Sequence, residues 1–171
     1  MATVYLGLGS NIERERYLVA GLDALAALYG ELALSSVYDS AAIGFDGQPF
    51  LNMVVQLTTG ASVGELARDL RRIEVEHGRQ PNAARFSARQ LDIDLLTYDS
   101  VVGDLASVSL PRPEILHNAF VLRPLAELAP DVRHPQTGIT YAAHWRAYDQ
   151  STQAVKRVDF EWRGRSISHA E

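Results

Sequence analysis

The chain has 171 residues, 47% of them apolar and 22% charged, with a formal net charge of −5. That balance suits one globular domain with a substantial core and argues against binding nucleic acid by bulk charge. There is no cysteine, which excludes disulfides and thiolate metal sites and fits a reducing compartment.

The opening MATVYLGLGSN lacks a basic n-region and a long apolar h-region, so no signal peptide is expected. No apolar run approaches the ~20 residues of a membrane span. The expectation is a cytoplasmic protein with no membrane partner. Ala2, Val4, Leu6 and Leu8 alternate and predict a strand, with Gly7 and Gly9 at its end. Ser10 and Glu13 make a capping-box pattern. Leu18, Leu22, Leu25 and Tyr29 then form one helical stripe, stopped by Gly30.

Residues 32–38 read as a second strand. SAAIGFDGQPF, 40–50, is a loop with two glycines and a proline. Residues 51–59 form a third strand ended by Gly60. Ser62 and Glu65 make a second capping box, and Val63, Leu66, Leu70, Ile73 and His77 follow helical spacing up to Gly78. RQPNAARFSAR, 79–89, is a basic loop, and residues 91–98 are a fourth strand.

The order β-α-β-β-α-β predicts an antiparallel sheet with two helices on one face. The other face is then left for loops and ligands. Beyond residue 100 the pattern weakens. A Pro-rich loop opens 110–131, where residues 120–128 read as a short helix interrupted by Pro124. Residues 155–164 alternate as a late strand. There are no repeats, and no sequence feature sets an oligomeric state.

RQLDIDLLTYD, 89–99, places two acids in a run of large aliphatics. Side chains on a strand alternate between faces, so Asp92 and Asp94 point one way while Leu91, Ile93 and Leu95 point into the core. Two carboxylates about 7 Å apart along a strand repel unless a cation lies between them. Magnesium takes one or two carboxylates plus substrate phosphates. Arg79, Arg85 and Arg89 just upstream match phosphate oxygens as bidentate forks. Acids for a metal beside arginines for phosphate suit phosphoryl-type transfer. The spacing alone equally fits exposed acids paired with arginines, because D-x-D is a weak signal.

RFSARQLDIDLL resembles the signature of the 6-hydroxymethyl-7,8-dihydropterin pyrophosphokinase family. VYLGLGSNI, QPFLNMVVQLTT, RRIEVEHGR and FVLRPLAELAPD resemble further family segments in the same order, covering roughly residues 2–135. The resemblance implies a ferredoxin-like βαββαβ fold for residues 1–135, with residues 136–171 a C-terminal extension. It also implies transfer of pyrophosphate from ATP to the pterin hydroxymethyl group, releasing AMP.

On this resemblance Asp92 and Asp94 hold two magnesium ions, and Arg79 and Arg89 act with them as catalytic residues. Arg71, Glu74, Arg85, Leu95 and Arg112 bind ATP. Ser40, Ala41, Ile43, Phe50, Asn52 and Phe120 bind the pterin, with Asn52 at the ring edge and the two phenylalanines stacking on its faces. Residues 79–89 are expected to close over ATP as a lid.

The departures are specific. Arg112 stands where the family usually has histidine, and Asn118 where it has arginine. Arg123 is the candidate to restore the charge missing at Asn118. Phe86, Ser87 and Ala88 also differ from the usual residues, and SAAIG lacks the usual Thr and Pro. Two alternatives follow: a divergent pterin- or nucleotide-binding homologue without transfer activity, and a generic ferredoxin-like interaction domain. The net charge and the lack of a basic aromatic sheet motif count against RNA for the latter.

Overall fold

The computed structural model describes residues 1–40, 48–78 and 90–171. In chain order the first elements are β1 (Ala2–Ser10), α1 (Arg14–Tyr29), β2 (Ala33–Leu34), β3 (Val37–Ser40), β4 (Phe50–Thr59), α2 (Val63–Glu76) and β5 (Asp92–Tyr98). Then come β6 (Gly103–Leu105), β7 (Val108–Leu110), α3 (Glu114–His117), α4 (Ala119–Leu128), α5 (Tyr141–Ala147), β8 (Val155–Val158), β9 (Phe160–Trp162) and β10 (Arg165–Ser168). The main sheet runs β5-β1-β4-β3-β8, with β2 also on β4, and its pairings are antiparallel. Among the described residues no helix is long and apolar enough to cross a membrane.

Period-two alternation divides the sheet into two faces. Leu6 and Leu8 of β1, Val55 and Leu57 of β4, and Ile93 and Leu95 of β5 join one core. The stripe Leu18, Leu22 and Leu25 of α1 and Leu66, Leu70 and Ile73 of α2 close over it. The opposite face is not left to loops and ligands. Tyr5, Val54 and Leu96 are apolar on that side too, and Ile115, Val121, Leu122, Leu125 and Tyr141 from the later helices bury them in a second core. Among the described residues, the end of the sheet at Gly7, Gly9, Asn52, Asp92 and Asp94 lies outside the residues of that second core.

The two expected capping boxes fare differently. At α2 the Ser62 hydroxyl accepts from the Glu65 N–H at 3.2 Å, and the Glu65 carboxylate accepts from the Ser62 N–H at 3.0 Å. At α1 no box forms. Ser10 is the last residue of β1, paired with Leu51, and its hydroxyl donates to the Ile12 carbonyl. Glu13 adopts a left-handed φ of 43° with no side-chain cap, and its carboxylate instead meets Arg16 at 3.1 Å.

The predicted second strand divides in two. The Ser35 hydroxyl accepts from the Val54 N–H at 2.8 Å while the Ser35 N–H donates to the Val54 carbonyl at 2.9 Å. A side chain thereby takes over part of the backbone ladder. Pro124 does not interrupt its helix: α4 runs through it. Proline gives up its bond to the Phe120 carbonyl, but the buried stripe Val121, Leu122 and Leu125 fixes the helix by packing rather than propensity.

The segment after residue 135 is tied into both layers. β8 extends the sheet along β3. Phe160 enters the first core, and the Trp162 indole donates to Asp23 on α1 at 3.0 Å. Both Arg123 terminal nitrogens donate to the Glu171 carboxylate at 3.0 Å. Glu171 also accepts from the Arg157 N–H at 2.8 Å. The Arg123 bond, with that backbone donor, holds the Glu171 carboxyl down at about 2.

Behind the acid-bearing strand, the buried Glu74 of α2 accepts from the Ile93 N–H at 2.9 Å. This pins the peptide between Asp92 and Asp94 to α2. Glu74→Leu is expected to leave that N–H unpaired and lower unfolding stability by about 1–3 kcal/mol, whereas Glu74→Gln keeps an acceptor and most of the stability. Denaturant unfolding of both variants checks this, and equal stability of wild type and Glu74→Leu would contradict it.

The Glu171 carboxyl is depressed on folding, so its contribution is present above the ordinary carboxylate range. It is lost as pH falls toward about 2. Thermal midpoints of wild type and Glu171→Gln should differ at neutral pH and converge on acidification through that window. A gap that persists at the acid end would place the effect elsewhere.

Candidate active site

Asp92 and Asp94 point away from the first core, while Ile93 and Leu95 between and beyond them are 5% and 3% exposed within it. In the ladder Asp92 stands opposite Gly9 and Asp94 opposite Gly7. The floor beside the two acids is therefore bare backbone, as where a ligand approaches closely. A Cβ at Gly9 would lie 2.8 Å from the Asn52 Oδ1, so any side chain there would force the Asn52 amide to shift.

Arg112 reaches the same ground from the loop after β7. Its Nε donates to the Leu95 carbonyl at 3.1 Å, its backbone N–H donates to the Leu96 carbonyl at 2.9 Å, and its Nη2 lies 3.9 Å from Asp94 Oδ1. The Asp94 side chain is 41% exposed, which leaves the acid accessible. No group of three or more His, Cys, Asp or Glu gathers among the described residues. The donor set is thus two hard carboxylates on one face. It suits a hard divalent cation whose remaining oxygens come from a substrate.

Asn52 is the neighbouring polar group. It is buried on β4, opposite Gly9 on one side and Tyr38 on the other, and its Nδ2 donates to the Ser40 hydroxyl at 2.7 Å. Phe50 follows on the same face of β4, paired with Ser40. Phe120 stands on the first turn of α4, half-buried against the second core. The register thus brings Asp92, Asp94, Asn52, Phe50 and Ser40 to one face, with Arg112 at its edge.

Other expected residues fall elsewhere. Leu95 has its side chain in the core on the far face, so only its carbonyl faces the Arg112 side. Glu74 is buried against the strand edge with Arg71 at 4.0 Å, where it supports Asp92 and Asp94 from behind. Arg79, Arg85, Arg89, Ala41 and Ile43, and with them the expected lid, lie outside the described residues.

Asn118 begins α4 without a side-chain cap. Arg123, the candidate to restore the phosphate-binding charge missing at Asn118, pairs with Glu171 instead. Besides Glu171 it bonds the Val155 carbonyl at 2.6 Å and lies 4.8 Å above the Tyr38 ring. Sequence reasoning missed the part played by Gly7 and Gly9, which needed the strand register. Asn11 is buried beside this face, and its amide donates to the Gln48 carbonyl at 3.1 Å. Tyr38 was unmarked as well. Burial and its bond to Glu127 push its hydroxyl up to about 12.

The family model described as 7,8-dihydro-6-hydroxymethylpterin-pyrophosphokinase matches residues 5–130. The chain is similar to the 2-amino-4-hydroxy-6-hydroxymethyldihydropteridine pyrophosphokinase of Aquifex aeolicus, 36% identical over 137 residues, covering 79% of this chain and 85% of that protein. It is similar to the protein of the same name from Pseudomonas aeruginosa, 39% identical over 136 residues, covering 77% and 83%.

Among solved structures, a crystal structure of HPPK-DHPS in complex with substrates superimposes with a TM-score of 0.72 at 11% identity. The match covers 98% of this chain and 48% of that one. The chain therefore spans about half of that solved chain, and the likeness establishes the mixed α/β fold with its antiparallel sheet. With a family match over most of its length and relatives more than a third identical across most of theirs, the chain belongs to the 7,8-dihydro-6-hydroxymethylpterin-pyrophosphokinase family.

Proposed function

We propose that this chain transfers pyrophosphate from ATP to the hydroxymethyl group of 6-hydroxymethyl-7,8-dihydropterin, releasing AMP, on the face that carries Asp92, Asp94 and Asn52. The observation that carries the reading is the β5-β1-β4 register, which sets both acids and Asn52 around Gly7 and Gly9. In the reaction the hydroxymethyl oxygen bonds to the β-phosphorus of ATP, the bond from that phosphorus to the α-phosphate oxygen breaks, and the hydroxyl proton is lost. Such transfer depends mostly on positioning and charge neutralisation.

Asp92 and Asp94 are the residues that would hold magnesium, two ions on our reading. Bound there, magnesium neutralises phosphate oxygens and polarises the phosphoryl group. Arg112 offers a guanidinium fork beside Asp94, suited to a phosphate oxygen. Arg79, Arg85 and Arg89 are assigned to the ATP phosphates, and Arg71 to the nucleotide side.

For the acceptor, the Asn52 amide carries both donors and an acceptor, which suits the aminopyrimidinone edge of a pterin. Phe50 and Phe120 are assigned to stacking, at about 0.5–1.5 kcal/mol per aromatic pair beyond burial. Ser40 sets the Asn52 amide, with Ala41 and Ile43 assigned to the same pocket. We read the β1-α1-β3-β4-α2-β5 part as ferredoxin-like, and residues 136–171 as an extension of the same domain. A second reading, ligand binding without transfer, is favoured by one observation. Arg123 is engaged by Glu171, so the charge absent at Asn118 is not restored from there.

AMP release from ATP and magnesium, with and without the pterin, tests the proposal. Wild type should release AMP only with the pterin. Asp94→Ala should lose more than the ~10–100-fold typical of an outer-shell change. Pterin-independent AMP, or none from folded wild type that binds both ligands, would favour the second reading.

Gly9→Ala tests the acceptor side. Its Cβ would press on the Asn52 Oδ1, and overpacking of this kind costs about 1–3 kcal/mol. Pterin binding should weaken by roughly tenfold on that scale while ATP binding is retained. Unchanged pterin affinity would remove Asn52 from the pocket.

A further inference from the structure

Residues 131–171 lie beyond the part of the chain that the family model matches, yet they bond to β3 and α4, which carry the pterin-side residues Ser40 and Phe120. β8 pairs with β3, setting Val155 opposite Ser40. Arg123, on α4, is held by Glu171 and by the Val155 carbonyl. The third contact is the most local. The Gln153 side chain spans the corner at Asn118, where α3 gives way to α4. Its Oε1 accepts from the Ala119 N–H at 2.9 Å and its Nε2 donates to the His117 carbonyl at 3.2 Å.

That corner needs outside support. Asn118 is extended, at φ −117° and ψ 119°, and makes no side-chain cap. The first N–H groups of a helix have no partner within it. The Ala119 N–H belongs to a fully buried residue, where an unmade bond is costly. Gln153 supplies the acceptor from 34 residues further along the chain. The His117 carbonyl is also held by the Tyr148 hydroxyl at 2.8 Å, so one side of the corner is fixed twice and the Ala119 side is fixed by Gln153. The next residue is Phe120, whose ring direction follows from the backbone at this turn.

We propose that Gln153 is a positioning residue for the pterin pocket, bridging the Asn118 corner from the C-terminal segment and so fixing where Phe120 stands. This rests on the reading above that Phe120 stacks on the pterin. The C-terminal segment then has a part in acceptor binding.

The test is equilibrium binding to the full chain, of a non-hydrolysable ATP analogue alone and of 6-hydroxymethyl-7,8-dihydropterin in its presence. Wild type, Gln153→Leu, Gln153→Glu and Phe120→Ala are compared, with thermal midpoints. Gln153→Leu should weaken the pterin about three- to tenfold, the factor one neutral hydrogen bond is worth, with analogue affinity unchanged and the thermal midpoint lowered only modestly by the unpaired Ala119 N–H. Gln153→Glu keeps the acceptor for Ala119 but not the donor for His117, and should fall between. Unchanged pterin affinity in Gln153→Leu overturns the proposal. So does a parallel loss of pterin, analogue and thermal stability, which marks a structural role only. If wild type binds pterin and Phe120→Ala binds it as well, the stacking assignment fails and takes this proposal with it. A wild type that binds no pterin fails the functional reading itself.

Discussion

The antiparallel pairing of β1 with its two neighbours is the constraint on which the rest depends. Gly7 and Gly9 sit at the meeting point, with Asp94 and Asp92 across one ladder and Asn52 across the other. A slip of one residue would turn every side chain to the opposite face, burying the acids and exposing Leu6, Leu8, Ile93 and Leu95. The hydrophobic cost of that exchange, about 1.5–3 kcal/mol for each large aliphatic side chain, holds the register. The site is thus fixed by the core on the other side of the same strands, and Glu74 reinforces it by pinning the Ile93 N–H.

The sheet also has to satisfy two cores. Strict alternation along β5 would carry Tyr98 to the same face as Leu96, away from the first core. The register instead shifts between Tyr5 and Leu6, leaving Leu96 as the extra residue on β5. Such a bulge rephases the strand beyond it. Leu95 remains in the first core, Leu96 enters the second, and Tyr98 returns to pack against the first. Its hydroxyl then reaches the Ala61 carbonyl at 2.7 Å. The second core is what confines the open part of the face to the glycine end, where the acids and Asn52 lie.

Much of this was legible in the residues. The alternation in 2–8 and 91–95, the helical stripes and the Ser62–Glu65 box are local patterns, and local patterns survive folding where tertiary packing agrees with them. The outward direction of Asp92 and Asp94 follows from the same alternation. The failures are non-local. Ser10 reads as a cap, but a longer β1 claims it for pairing with Leu51. Arg123 looks like a spare cation until Glu171, 48 residues on, closes over it. The C-terminal segment shows weak periodicity because its short strands and its Gln153 and Trp162 contacts depend on partners far away in sequence.

A metal and phosphate held by Asp92 and Asp94, as proposed, would have a directly measurable place on the sheet. The most direct measurement is paramagnetic broadening of backbone amide signals on adding manganese with a non-hydrolysable ATP analogue. Broadening is expected to centre on residues 92–94 and on Gly7 and Gly9 across the ladder, and to be lost in Asp92→Asn. Broadening centred on other acids, such as Asp23 or Asp69 on the helices, with residues 92–94 unaffected, would contradict it.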